Sequence, residues 1–218
     1  MTTMLHLGFA MNGLEIGIEE IVEEICAKFE FPTYVEIGVG HGQTLVGISE
    51  ILSVKRAEWR AIGIDLPNGY SLDQGQVKQN AVDAGLKLDF AHGIGRGVIL
   101  PPWGQITVIL EDSQVVLGEH WLAPVDLALI DGCHGRKCAT LDFLCLEPFV
   151  PRHGVVMFHD FGTSDIGIPQ PHCGTIDVRG ACEDLGLLNN QRQGWKFVRE
   201  LTANKLEGGS NMGVFQRV

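Results

Sequence analysis

Apolar residues recur along this chain in two rhythms. Leu14, Ile18, Ile21, Val22, Ile25 and Phe29 come at helical intervals with Glu19, Glu20, Glu23 and Glu24 between them, so residues 14–30 should form an amphipathic helix with one buried face. Pro32 ends it. The rhythm then changes to short, mostly apolar runs at 34–37, 61–64, 106–110, 127–130 and 155–158. Runs that are apolar on both sides of the backbone suit parallel strands covered on both faces. The intervals 44–54, 74–84 and 136–149 are long enough for crossover helices, and together they predict a doubly wound, mostly parallel α/β sheet. After a Gly/Pro-rich stretch at 162–174, residues 178–187 read as a helix. The runs 195–201 and 212–218 flank the turn-rich 204–211 and predict a C-terminal antiparallel hairpin. Residues 86–104, broken by glycines and Pro101-Pro102, show no period. The division that follows is an N-terminal helical segment, 1–32, and a single domain, 33–218.

Composition narrows the partners. The formal charge of −11 and pI near 5.1 disfavour a nucleic-acid groove or an anionic membrane surface, both of which need clustered Lys and Arg. A small-molecule substrate fits better. No apolar stretch reaches the roughly 20 residues needed to cross a bilayer, and the start lacks the basic-then-apolar order of a secretion signal; the expected location is cytoplasmic. The six cysteines, 26, 133, 138, 145, 173 and 182, form no CxxC pair and read as reduced thiols within apolar patterns. His134 and His172, beside Cys133 and Cys173, leave a zinc site open.

The candidate chemistry lies where the strands end. Glu36-Ile37-Gly38-Val39-Gly40-His41-Gly42 leads three alternate glycines off the first run, a turn on which a flat or polar ligand can rest against bare backbone. In an open parallel sheet ligands bind beyond the carboxyl ends of the strands, and here those ends carry Glu36, Asp65, Glu111-Asp112, Asp131 and Asp160. One such acid is commonplace as a helix cap or turn former, but five in register are hard to assign to caps alone. A carboxylate at Asp65 can accept from two vicinal ribose hydroxyls; capping is the competing account. A dinucleotide fingerprint wants GxGxxG, and here the third glycine comes one residue early, at Gly42, with Gln43 in its place. An adenosine ligand without a pyrophosphate is therefore favoured over NAD(P).

These residues resemble a class I S-adenosylmethionine-dependent methyltransferase: Glu36, Gly38, Gly40 and Gly42 as the first motif, Asp65 as the ribose acid, and Glu111-Asp112-Ser113-Gln114 as the adenine-side turn. Asp126-Leu-Ala-Leu-Ile-Asp131-Gly-Cys-His134, Asp142, and Glu147 through Gly154 to Phe158-His159-Asp160 are similar to the small-molecule O-methyltransferases of the macrocin and cephalosporin-cluster type, and more distantly to catechol O-methyltransferase. Arg152-His153-Gly154 departs from that pattern's Pro-Gly-Gly, a change of turn rather than of chemistry. The resemblance implies a Rossmann-like fold, S-adenosylmethionine as cofactor, and Thr44 near the donor carboxylate at a helix N-terminus. It also implies Mg²⁺ held by Asp131 and Asp160, two hard oxygen ligands with positions open to a small-molecule hydroxyl acceptor.

His134 is the expected general base, since an imidazole with a pKa near 6.5 can take a proton at neutral pH; a solvated loop histidine is the competing account, and Lys137 is a weaker candidate. The catalytic pair is thus Asp131 and His134. Asp131 binding the donor's amino group or capping a helix, and Asp160 forming a turn, remain the plainer alternatives. Trp103, Trp121 and Tyr70 receive no site role. The acceptor pocket falls to 67–74 and 162–174. The helix at 14–30 could cover the donor site or join a homodimer, with packing on the sheet the plainer account. Two other functions stay open: an NAD(P)-dependent oxidoreductase and a non-catalytic adenosine-ligand-binding protein.

Overall fold

The computed structural model describes residues 17–67, 72–92, 102–120, 123–162, 167–170, 174–201 and 211–218. In chain order the elements are α1 (Ile18–Lys28), β1 (Thr33–Ile37), α2 (Gln43–Lys55), β2 (Arg60–Asp65), α3 (Gln74–Asp83), β3 (Lys87–His92), β4 (Gln105–Leu110), α4 (Ser113–Val115), β5 (Leu127–Ile130), α5 (Arg136–Leu146), β6 (Val155–Phe158), β7 (Pro169–Gln170), β8 (Gly174–Thr175), α6 (Val178–Asp184), β9 (Trp195–Leu201) and β10 (Met212–Arg217). One eight-stranded sheet runs β3-β4-β2-β1-β5-β6-β10-β9. The strands from β3 to β6 are parallel; β10 returns antiparallel against β6 and pairs with β9 in the hairpin.

Period-two alternation decides which side chain goes to which face. Tyr34, Leu127, Leu129, Val155 and Met157 join the core under α1, α2 and α3. Val35, Ile37, Ala128, Ile130, Val156 and Phe158 join the opposite core under α5 and α6. All five residues of β1 are buried, as a central strand with a helical layer on each side requires. α1 presents Ile18, Ile21, Val22, Ile25 and Cys26 to the first core. It is tied to α2 by Lys55 with Glu23 and to β9 by Arg199 Nη1 at 3.0 Å from Glu20 Oε2.

β3 falls in the stretch that showed no period. Leu88 and Phe90 pack on the core while Lys87 and Asp89 are exposed, so this edge strand alternates and lacks the two-sided apolar run by which the inner strands stand out. α5 stops at Leu146 and passes into a 3₁₀ turn at Glu147–Phe149 containing Pro148. Where the related pattern has Pro-Gly-Gly, His153 adopts the left-handed conformation itself, with φ 73°. The turn keeps its shape without glycine.

Sequence neighbours on one side of β1 lie at β2 and β4, and those that follow lie on the other side at β5 and β6. The chain thus reverses its direction of winding at β1 and β5, the place where such sheets open a ligand crevice at their carboxyl ends.

Candidate active site

The glycine turn after β1 is shaped by its neighbours. Gly38, Gly40 and Gly42 all have positive φ, 85°, 52° and 72°. At Gly38 a Cβ would lie 2.3 Å from the backbone oxygen of Asp131, because the β1 and β5 turns pass against each other; Gly38 N donates to Ile64 O and Asp131 N to Ile37 O, both at 2.8 Å. Asp65 fastens the turn: its Oδ2 accepts from Val39 N at 2.8 Å and Gly40 N at 3.1 Å, and its Oδ1 from Leu66 N at 2.7 Å. From α3, Asn80 Nδ2 donates to His41 O. α2 starts at Gln43 with Gly42 as its N-cap and no side chain capping it, so its first amides face the crevice, with Thr44 half-buried in the first turn.

Glu36 lies beneath this turn, buried, and accepts a hydrogen bond from the Tyr34 hydroxyl. Burial holds its carboxyl well above the usual carboxylate range, and nearby Asp131 adds to the rise against the Tyr34 hydrogen bond and His159. On the far side of β1, Asp112 caps α4, its Oδ1 accepting from Gln114 N at 2.8 Å. Ser113 Oγ donates to Asp142 Oδ1 at 2.6 Å, satisfying a buried carboxyl that burial pushes up to about 6. The Gln114 side chain is exposed.

The ends of β5 and β6 bring four side chains together. His134 Nε2 lies 3.2 Å from Asp131 Oδ1, and His134 Nδ1 contacts Asp160 Oδ2. His159 Nδ1 lies 2.8 Å from Asp131 Oδ1 and 3.4 Å from Asp160 Oδ1. Consecutive strand residues normally point to opposite faces, but Asp160 has φ 51°, a left-handed turn that brings its carboxylate back beside His159. The sequence alone singled out Asp131, His134 and Asp160 and left His159 as a mere neighbour; the signal for it was its place just past β6, beside the end of β5.

Burial lowers the proton affinity of His134, but the flanking Asp131 and Asp160 carboxylates outweigh it and hold its pKa at about 10. Asp131 is held below the ordinary range: burial raises it, and the two imidazoles lower it further. Asp131, His134 and His159 could together hold a metal, with ligand atoms all within 4.8 Å of one another. Mg²⁺ prefers an octahedron of oxygens at about 2.0–2.1 Å, whereas half of the side chains converging here present nitrogen and each carboxylate already faces an imidazole. The donor set does not fit Mg²⁺.

Other expected positions lie elsewhere. Tyr70, Trp121, His172 and Cys173 are outside the described residues. Trp103 is 41% exposed at the amino ends of the strands, stacked on Arg60 beside a cleft of about 460 Å³, away from this crevice. Cys26 and Cys182 are buried thiols whose pKa burial raises; Cys133, Cys138 and Cys145 are only half-buried.

A glycine turn fastened by an acid from the next strand, beside a carboxylate and histidine cluster at the winding reversal, defines an α/β protein with a ligand crevice of the Rossmann-like type. The family model described as "Methyltransferase domain" matches residues 35–161, more than half of the chain, and the protein belongs to that family. Among solved structures, the O-methyltransferase TomG from Streptomyces achromogenes, in complex with SAM, is similar at a TM-score of 0.61 with 13% identity over 92% of this chain and 78% of that one. The O-methyltransferase from Bacillus cereus, in complex with SAH, gives 0.62 with 11% identity over 95% and 84%. The O-methyltransferase NovP gives 0.61 with 14% identity over 93% and 78%. These likenesses concern the fold. A comparison with curated protein sequences gives no match.

Proposed function

We propose that this protein transfers the methyl group of S-adenosylmethionine to a hydroxyl of a small molecule. The observation that carries the reading is the contact between the two halves of the crevice: Gly38 of the donor-type turn touches the backbone of Asp131, so a sulfonium seated on that turn lies next to the Asp131, His134, His159 and Asp160 cluster. The family match and the SAM and SAH held by TomG and the Bacillus cereus enzyme support the choice of donor.

In this reading Asp65 and the first turn of α2 seat the ribose and the amino-acid end of the donor, with Thr44 beside the carboxylate. Asp112, Ser113 and Gln114 border the adenine through backbone and side chain. The acceptor hydroxyl docks against the Asp131 and Asp160 carboxylates, which orient its oxygen toward the methyl carbon. The C–O bond forms as the S–C bond breaks, leaving S-adenosylhomocysteine, and the hydroxyl proton enters the carboxylate–histidine network with His134 as base. With two carboxylates holding its proton, His134 serves as base only once that proton has left the cluster. Assistance by Mg²⁺ is not part of this reading, for want of an oxygen donor set. A cytoplasmic location goes with it, supported by the buried thiols and by the absence of any described helix long and apolar enough to cross a membrane.

The test is isothermal titration of the purified chain with S-adenosylhomocysteine, with NAD⁺ as control, followed by methyl transfer from labelled donor to a panel of phenols, catechols and sugars. Micromolar binding of S-adenosylhomocysteine and none of NAD⁺ is expected; the reverse would overturn the reading in favour of hydride transfer. Donor binding with no transfer to any hydroxyl would leave only the donor site standing.

A further inference from the structure

We infer that the cleft at the amino ends of the strands is a second ligand site, for a free aromatic α-amino acid. Its carboxylate meets Arg60, its ammonium meets Asp126, and its ring lies against Phe31 and Trp103. Such a site is independent of the methyl-transfer reading, because it lies at the opposite end of the sheet. β2 runs from Arg60 in the cleft to Asp65 beside the glycine turn, a span of about 16–17 Å at about 3.3 Å per residue.

Three strands bring the polar groups of the cleft together. Thr33 opens β1 in register with Arg60, which opens β2, and Asp126 immediately precedes β5. Thr33 N donates to Asp126 Oδ2 at 2.9 Å and Asp126 N donates back to Thr33 O at 3.0 Å, which fixes the carboxylate in the cleft wall. Asp126 is only 4% exposed, and its Oδ1 has no hydrogen-bond partner among the described residues. Arg60 carries its Cζ 3.5 Å from the Trp103 ring centroid, with its Nε buried and unpartnered. Stacking covers the face of a guanidinium and satisfies none of its N–H donors. Arg60 and Asp126 feel each other's charge yet form no direct ion pair. Burial lowers the Arg60 pKa and raises that of Asp126 to about 6, as befits charges without a close counter-ion.

The chemistry of the ligand follows from that unclosed pair, since a charge removed from water needs a partner. A monocarboxylate would satisfy Arg60 but set a second anion beside Asp126. A simple amine would satisfy Asp126 and leave Arg60 as it is. An α-amino acid carries both charges on one carbon and bridges the two: its carboxylate accepts from the guanidinium, and its ammonium donates to Asp126 Oδ1. The remaining wall selects the side chain. Phe31 and Trp103 are 46% and 41% exposed, with ring centroids 5.8 Å apart and planes tilted by 40°, and Phe29 lies beside them. A third ring can join such a pair in offset or edge-to-face contact. The volume of about 460 Å³ is that of a small-molecule site, about 300–1,000 Å³.

The experiment is isothermal titration of the full chain with phenylalanine, tyrosine and tryptophan, with and without saturating S-adenosylhomocysteine. Leucine, 3-phenylpropionate and 2-phenylethylamine serve as analogues lacking the ring, the ammonium and the carboxylate. At least one aromatic amino acid is expected to bind at one equivalent, unaffected by S-adenosylhomocysteine, with each analogue at least 10-fold weaker. Arg60→Met and Asp126→Asn should each weaken binding at least 10-fold. Asp126→Asn should do so while the fold gains stability at pH 8, which separates lost recognition from lost structure. Trp103→Ala, at an exposed side chain, should weaken binding about 10-fold in a chain whose circular dichroism is unchanged. Binding of none of the three amino acids, equal binding of the analogues, displacement by S-adenosylhomocysteine, or unchanged affinity in folded Arg60→Met and Trp103→Ala would overturn the inference.

Discussion

Replacing Gly38 by alanine tests the contact on which the two halves of the crevice depend. The new Cβ would stand 2.3 Å from the Asp131 carbonyl oxygen and 2.6 Å from the Asp131 carbonyl carbon and Gly132 Cα, so the facing turn must retreat by about 1 Å to reach ordinary contact. The obstacle is backbone on both sides, and no side-chain rotation relieves it. The positive φ of 85° adds about 1–2 kcal/mol for a residue with a Cβ. The retreat strains two backbone hydrogen bonds of 2.8 Å, Gly38 N to Ile64 O and Asp131 N to Ile37 O, each contributing about 0.5–1.5 kcal/mol. The sum is about 2–5 kcal/mol, a large share of the stability of a domain. Gly194 isolates the first contribution: its φ is 82° and an added Cβ meets nothing within 4 Å, so Gly194→Ala should cost only about 1–2 kcal/mol. Urea denaturation of both variants measures the difference, and titration with S-adenosylhomocysteine should show Gly38→Ala binding more than 10-fold weaker. Equal destabilisation by the two substitutions, with donor affinity intact in Gly38→Ala, would refute the close approach of the β1 and β5 turns.

Three further expectations concern stability. Burial raises Asp126 from 3.8 to about 6, against a hydrogen bond from Thr33 N and the charge of Arg60. A raised folded-state pKa means stability present at low pH and lost as pH rises through about 6, amounting to about 3 kcal/mol at most; Asp126→Asn should therefore gain up to that much more at pH 8 than at pH 4 in urea unfolding, and a gain independent of pH would refute the assignment. His153 holds φ 73° where glycine would be unstrained, so His153→Gly should stabilise by about 1 kcal/mol and raise Tm by roughly 2–4 °C in calorimetry, whereas a fall in Tm would count against it. Glu147 accepts from Arg192 Nε at 2.7 Å and Trp195 Nε1 at 2.8 Å, and although burial raises its carboxyl, these partners outweigh it and hold it below its ordinary value. Its contribution is present above about pH 4.5 and lost as pH falls through its lowered folded-state value, so Glu147→Gln should cost about 2 kcal/mol at pH 7 in urea unfolding and progressively less as pH falls.

The inner strands, the crossover helices and the glycine turn were legible in the sequence because each is set by local chemistry. A strand buried on both faces reads as a continuous apolar run, as β5 and β6 do, and a turn that brings backbone against backbone needs glycine, as at Gly38. The edge strand β3 was not legible, because burial on one side leaves Lys87 and Asp89 free to be polar. The acids at the strand ends were visible as a row. What each of them does was not, since Asp65 reaches across from β2 to fasten the glycine turn and Glu36 has a raised pKa because the folded sheet buries it, whereas Asp112 merely caps its own helix.

The sequence by itself determined the layered α/β architecture, the donor-type turn and the acids available to a site, because periodicity and glycine placement act over a few residues. Only the tertiary structure decided which of those acids meet histidines. β5 and β6 lie side by side although more than twenty residues separate them, and the left-handed backbone at Asp160 turns two consecutive residues into one crevice. Parallel pairing and a single backbone dihedral, neither of them written in any local pattern, therefore assemble Asp131, His134, His159 and Asp160 into one cluster.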